Sequence, residues 1–172
     1  MGYNLPFAQG MRLIELGGGD KPLLKSVGAV NLDARQLPTV DIVADFNKSL
    51  PIGAAEYDGA FGHYLLEHIS WRQVRPFVQE VHRILKPRGI AVFFTANTEA
   101  QMRVALELPQ DGHWIEKVSQ MIMGDQDYPE NSHKVVFGPK TLVDLFLWAG
   151  FSRVDVYEHD QTVTDCIVEA AK

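Results

Sequence analysis

The chain has 172 residues, 46% of them hydrophobic and 22% charged, with a formal net charge of −6. That length suits one domain with a real core, and the acidic balance disfavours a broad electrostatic footprint for nucleic acid. The lone Cys166 cannot form an internal disulfide, which suits a reducing compartment, and no apolar run reaches the roughly 18 residues of a membrane span. The N-terminus lacks the basic and apolar regions of a signal peptide. The expectation is a cytoplasmic domain with no membrane contact.

In chain order, residues 1–10 read as an irregular arm interrupted by Pro6 and Gly10. Residues 11–16 read as a first strand, in which Leu13-Ile14-Glu15-Leu16 runs directly into Gly17-Gly18-Gly19-Asp20. An apolar run that breaks into glycines marks a buried parallel strand stopping at a turn that approaches a ligand closely. Glycine there permits positive φ and carries no Cβ to block the approach. In open α/β sheets ligands bind outside the carboxyl ends of the strands, where this loop lies. A glycine-rich turn with no ligand is the plainer alternative.

Lys21 to Ser26 offers a turn or two of helix, with Pro22 tolerated at a first helical position. Residues 29–33 and 41–45 read as two further strands, each ending on a carboxylate, Asp33 and Asp45. Residues 57–62 make a small-residue fourth strand that runs into His63. Ser70 and Gln73 have capping-box spacing, and Val74, Phe77, Val78, Val81 and Leu85 then recur at helical intervals. Lys86-Pro87-Arg88-Gly89 stops that helix, and residues 90–94 form a continuous apolar strand of the kind buried on both faces.

Thr98 and Gln101 repeat the capping spacing. Pro139 opens a last helix with Leu142, Leu145, Phe146 and Ala149 on one face, closed by Gly150. Residues 153–157 and 164–170 read as two final strands, and the short link between them, Glu158-His159-Asp160-Gln161, implies an antiparallel pair. The fold class is α/β: a Rossmann-like, seven-stranded, mostly parallel sheet with a C-terminal antiparallel hairpin and helices on both faces. One domain covers residues 1–172, and residues 96–137 are too long for a plain connection, so they read as a lid or substrate-binding insertion with its own helices.

These features together resemble the class I S-adenosylmethionine-dependent methyltransferases, in particular the small methyltransferase-11 type. Glu15-x-Gly17-x-Gly19 is similar to the family's first motif, where the loop of Gly17, Gly18 and Gly19 lies against the methionine part of the cofactor. Asp33, followed by Ala34, matches the acid that binds the ribose hydroxyls, and a carboxylate is a sound acceptor for two hydroxyl donors. Asp45-Phe46 matches the segment near the adenine. Tyr57-Asp58-x-x-Phe61-Gly62 through Leu65-Leu66-Glu67-His68-Ile69 resembles the fourth-strand signature, which places Gly62 and His63 beside the cofactor. Leu85-Lys86-Pro87-x-Gly89 and Ala149-Gly150-Phe151 are also family-like. Lys21, in the region where a dinucleotide fingerprint carries its third glycine, argues against a nicotinamide enzyme.

The resemblance implies S-adenosyl-L-methionine as cofactor and transfer of its methyl group to a small-molecule or glycan-type acceptor. The alternative is a non-catalytic S-adenosylmethionine-binding module completed by a partner protein. A short helix after the first loop and none before the first strand leave the site thinly covered, so a homo-oligomer stays open. His63 is expected near the sulfonium or the substrate, acting through its backbone or its side chain. His133 is the candidate general base toward an acceptor hydroxyl or amine, with a solvated loop residue as the alternative. Glu67-His68 reads as a structural hydrogen-bonding pair and does not continue to a zinc-helix histidine, so no metal is expected. Trp114, Met121, Met123 and Tyr128 are candidates to line an acceptor pocket or simply to pack the lid.

Overall fold

The computed structural model describes residues 3–158 and 164–172. The Asp160-Gln161 part of the expected hairpin link, with His159, lies outside the described residues. Seven strands form one sheet: β1 (Leu13–Leu16), β2 (Val30–Asp33), β3 (Ile42–Val43), β4 (Tyr57–His63), β5 (Leu85–Ala96), β6 (Arg153–Glu158) and β7 (Asp165–Ala171). Their spatial order is β3-β2-β1-β4-β5-β7-β6. The first five are mutually parallel, and β7 runs antiparallel to both β5 and β6. The seven-stranded mixed sheet expected from the sequence is the one observed. Because β1 to β4 are parallel, their carboxyl ends share one edge. The strand order reverses beside β1, with β2 and β3 on one side and β4 on the other, which opens a crevice there.

Four α-helices occur among the described residues: α1 (Val74–Ile84), α2 (Thr98–Glu107), α3 (Trp114–Met123) and α4 (Pro139–Ala149). None is long and apolar enough to cross a membrane. On α1, Val74, Phe77, Val78, Val81 and Ile84 are buried at helical spacing, and on α4 Leu142, Leu145, Phe146 and Ala149 are. Pro139 stands at the first helical position of α4, and Gly150 closes that helix in the left-handed conformation at φ 108°.

The two faces of the sheet are covered unequally. Side chains of β1 alternate as a strand requires. Ile14 and Leu16 join Leu32, Ala60 and Phe93 beneath α1 and α4. Leu13 turns the other way, with Phe61, Val92, Phe94 and Ile167, and there the cover is the arm residues Tyr3, Leu5, Phe7 and Met11 together with Leu24 and Ala29. The segment after the glycines carries only a 3-10 turn, Lys25–Val27.

Both expected capping boxes shift. The α1 cap position is Gln73 with no side-chain bond, because residues 70–73 form a separate turn in which Ser70 carbonyl accepts from the Gln73 and Val74 amides. Asn97, not Thr98, caps α2, its Oδ1 accepting the Ala100 amide at 3.2 Å. Leu85 belongs to β5 rather than to α1, and the expected helix stop at Lys86 to Gly89 lies within that strand. There the register slips between Tyr57 and Gly59, and Arg88 takes a positive φ of 67°.

Glu80 on α1 anchors the loop that runs beneath the β3 end. It accepts from Ser49 Oγ at 2.8 Å and the Leu50 amide at 2.9 Å, and pairs with Arg83 at 2.7 Å. The Arg83 guanidinium, outweighing burial, pulls the Glu80 carboxyl from 4.5 down to about 2. A depressed carboxyl contributes stability above its unfolded value and loses it as pH falls through the folded one. Acid unfolding is therefore expected to be steepened by Glu80 between pH 4.5 and about 2, and Glu80→Gln should flatten that limb. Parallel stability-versus-pH curves for the two proteins over that window would contradict the assignment.

Candidate functional site

A cleft of about 680 Å³ lies across the carboxyl ends of β1 to β4, within the range of small-molecule sites. Its wall is formed by Gly17, Gly18, Gly19 and Asp20 after β1, by Asp33, Ala34 and Arg35 after β2, by Asp45, Phe46 and Asn47 after β3, and by His63, Tyr64 and Leu65 after β4. The segment containing Tyr128 to Asn131, with Lys134, closes the remaining side, beside His68 and Ile69. The lining carries four carboxylates, Asp20, Asp33, Asp45 and Glu130, against two cations, Arg35 and Lys134.

The glycine loop is held rigidly by the strands behind it. Gly17 donates its amide to Leu32 carbonyl at 2.7 Å, and Gly19 donates to Asp33 Oδ2 at 2.9 Å. Gly19 carbonyl accepts from Asn31 Nδ2 at 3.0 Å and Thr39 Oγ at 2.8 Å. Gly17 and Gly19 have positive φ, 76° and 57°, which other residues adopt only with strain. At Gly18 the reason is different: a Cβ there would run into Asn31 Oδ1, a buried oxygen with no hydrogen-bond partner.

Asp33 is buried and already bonded within the protein. Besides Gly19, it accepts from the Arg35 amide at 2.9 Å and from Arg35 Nε at 3.3 Å. The Arg35 guanidinium also lies over the Tyr128 ring, 4.5 Å from its centroid. Arg35 thus links the acid at the end of β2 to the segment that closes the cleft. Asp45 is half-exposed and pairs with Lys48 at 3.3 Å; the Asn47 amide, more than the lysine, holds its carboxyl below the usual range. Phe46 is buried against Phe77, with ring centroids 5.6 Å apart. Tyr64 holds a positive φ of 51° at the cleft wall, with its hydroxyl donating to Asp165 Oδ2 at 2.8 Å. A non-glycine residue held there is backbone strain beside the cleft.

Of the residues singled out in the sequence, Gly17, Gly18, Gly19, Asp33, Ala34, Asp45, Phe46 and His63 come together in this lining. Glu15, Gly62 and His133 are not in it. Glu15 points to the thin face of the sheet, where its carboxylate accepts the amides of Leu23 at 2.8 Å and Leu24 at 2.7 Å. Burial raises its carboxyl above the ordinary value while those amides pull it back. Gly62 is interior to β4, where a Cβ would strike the Phe93 ring. His133 packs edge-on against cleft-lining His68, with ring centroids 5.1 Å apart. Tyr128 lines the cleft, whereas Trp114 binds Ala105 carbonyl at 3.2 Å and pins α3 to α2.

Arg35, Tyr64, His68 and Lys134 are lining residues that sequence reasoning did not select. For Tyr64 the signal was its place directly after a strand end. For Arg35 and Lys134 no local pattern exists. Beneath His68, Glu67 is wholly buried and accepts from Thr95 Oγ at 2.9 Å and the Ala96 amide at 3.2 Å. Burial, opposed by those hydrogen bonds, pushes its carboxyl up to about 7. Burial likewise holds the His68 and His133 imidazoles below their ordinary values, against the carbonyls each faces.

Residues 22–93 match the family model described as a methyltransferase domain. Among solved structures the chain is similar to an S-adenosylmethionine-dependent methyltransferase of Mesorhizobium loti, at 18% identity and a TM-score of 0.69, covering 98% of this chain and 94% of that one. A second such enzyme, from Archaeoglobus fulgidus, aligns at 14% identity and a TM-score of 0.68, covering 97% and 89%. The trans-methyltransferase CalH, solved in complex with S-adenosylhomocysteine, aligns at 14% identity and 0.63, covering 95% of this chain and 51% of that one. No curated protein matches the sequence. At these identities the structural likeness speaks for the fold. The matched segment carries the methyltransferase-domain pattern, and the fold is the one shared by these S-adenosylmethionine-dependent methyltransferases.

Glu15→Ala should leave the Leu23 and Leu24 amides without their acceptor and cost about 2–4 kcal/mol in urea unfolding. A loss below about 1 kcal/mol would show that solvent replaces the carboxylate there.

Proposed function

We propose that this chain binds S-adenosylmethionine in the cleft at the carboxyl ends of β1 to β4 and transfers its methyl group to a small-molecule or glycan-type acceptor. The observation that carries this reading is the lining itself: a clamped glycine loop, a buried acid at the end of β2 and an excess of carboxylates over cations. That charge balance suits a ligand with a cationic sulfonium and opposes one rich in phosphates. The residues present fit the cofactor. Gly17 to Gly19 would lie along its methionine part, Asp33 would accept from the ribose hydroxyls, and Asp45 with Phe46 would border the adenine.

The cofactor supplies a methyl group already activated by the sulfonium. What the protein must add is alignment with the acceptor, which is worth several kcal/mol of barrier. The strand ends fix the cofactor side of that alignment, and residues 96–137 act as the lid on the acceptor side. The lid is lightly attached: α3 has no fully buried residue, and α2 buries only Thr98, Gln101 and Ala105. That is the signature of a segment that opens at low cost. An unactivated hydroxyl acceptor needs a base, and His63 in the lining or His133 behind His68 would serve. A thiolate or free amine needs none.

Asp33 has about four acceptor positions, and the Arg35 side chain uses one of them. A ribose diol would therefore displace the long Arg35 Nε contact while the Gly19 and Arg35 amides remain.

By calorimetry, S-adenosylmethionine and S-adenosylhomocysteine should each bind with one-to-one stoichiometry. Asp33→Ala should weaken binding at least about tenfold, or 1.4 kcal/mol, and an unchanged affinity would remove the ribose assignment. Arg35→Ala should bind as tightly as the parent or more tightly. A loss of tenfold or more in that variant would mean Arg35 contacts the ligand rather than competing with it.

A further inference from the structure

We propose that Glu67, His68 and His133 form a binding site for a divalent transition-metal cation at the margin of the cleft. One donor atom from each of the three lies within 4.8 Å of the other two. The first two residues are adjacent in the 3-10 turn Leu66–His68, and the third comes from the far end of the lid segment. The adjacent pair gives no metal motif by sequence spacing, because folding alone brings the third residue to it.

The local hydrogen bonds prepare both imidazoles for a cation, and binding would displace whatever proton the buried Glu67 carboxyl holds. His68 Nδ1 faces Ser132 carbonyl at 3.2 Å, and His133 Nδ1 faces Ile122 carbonyl at 3.2 Å. A carbonyl only accepts, so in the neutral rings each Nδ1 carries the proton and Nε2 is the lone-pair nitrogen. The His68 ring also has the Glu130 carbonyl beside it, which a cation would have to displace or share. A ligating histidine is held in this way, one ring nitrogen donating to a backbone carbonyl and the other free to bind. The Glu67 carboxylate accepts from Thr95 Oγ, the Ala96 amide and its own backbone amide, three of its roughly four acceptor positions. Two imidazoles and one carboxylate are a donor set for zinc, ferrous iron or cobalt, and a set of three leaves a position open.

Backbone hydrogen bonds also hold the site's two halves together. Lys134 donates its amide to Glu67 carbonyl at 2.7 Å, and the His133 amide donates to Met123 carbonyl at 2.9 Å. Ligands of a tetrahedral zinc stand about 3.4 Å apart, with bonds of about 2.0–2.2 Å. Metal entry would therefore draw the three groups inward by up to roughly an ångström, and fasten the lid to the turn after β4. His68 lines the cleft, so the open position is available to an oxygen-bearing acceptor. That last consequence rests on the methyltransfer reading, whereas the metal site does not, and a metal-bound His133 leaves His63 as the candidate base.

The test is titration of chelator-stripped protein with Zn²⁺ by calorimetry and with Co²⁺ by visible absorption, without cofactor. One equivalent should bind with a Kd of about 1 µM or tighter, and His133→Ala should weaken it at least about tenfold. The exposed His113, mutated to Ala, should change nothing. X-ray absorption of the zinc-loaded protein should show two imidazole ligands, a readout that decides the matter even if His133→Ala fails to fold. Absence of binding at about 100 µM metal in folded protein, equal affinity in His133→Ala, or a spectrum without imidazole would each overturn the proposal. Cofactor binding, measured separately on metal-free protein, stands or falls on its own.

Discussion

The buried carboxylate of Glu15, holding the Leu23 and Leu24 amides, is the constraint on which the cleft depends. In an open α/β sheet the loop after the first strand is ordinarily positioned by the helix that follows it. Here residues 20–29 contain only a single 3-10 turn, so their backbone amides have no helix to satisfy them. A carboxylate from inside β1 does so instead for Leu23 and Leu24, from the face that the arm residues and the 3-10 turn cover. With that return path tied down, Gly19 can be clamped from the other side by Asp33, Asn31 and Thr39. The glycine loop is rigid because groups on both flanks hold it, and no part of that rigidity comes from the glycines.

The same clamps bind the cleft wall into one unit. Asp33 meets the loop of β1 through one oxygen and the chain after β2 through the other. Arg35 then carries the connection across to Tyr128. The closing segment is in turn docked on the turn after β4 by Lys134 and by the His68 contact with Ser132. Parallel strands place these groups on one edge, and hydrogen bonds between consecutive strand ends set their spacing. A ligand entering the cleft meets a preorganised inner wall and an outer wall attached through a few polar contacts. This division of rigidity suits a fixed cofactor and an exchanging acceptor.

Much of this was legible in the sequence because its signals are local. Apolar runs ending on Asp33 and Asp45, the triple glycine, and the helical spacing on α1 and α4 each report on neighbours a few residues away. What was not legible depends on residues distant in sequence. Glu15 resembles a cofactor acid in its motif, but alternation along β1 sends it to the thin face, where only the fold reveals the amides it meets. The capping spacing at Ser70 and Thr98 is as good as that of a true cap. It fails because Ser70 makes its own turn and because Asn97, one residue earlier, offers a better-placed oxygen. Arg35, whose role is to join Asp33 to Tyr128, carries no sequence signal, and neither does the meeting of His68 with His133.

The central claim is that one ligand spans the loop after β1, the acid after β2 and the closing segment at once. Amide hydrogen exchange with and without S-adenosylhomocysteine tests it most directly, since it reports on each wall of the cleft separately. The account predicts added protection at residues 17–20, 33–35 and 45–47, together with slower exchange across residues 128–134. Protection confined to some other surface, or none at saturating ligand, would contradict it.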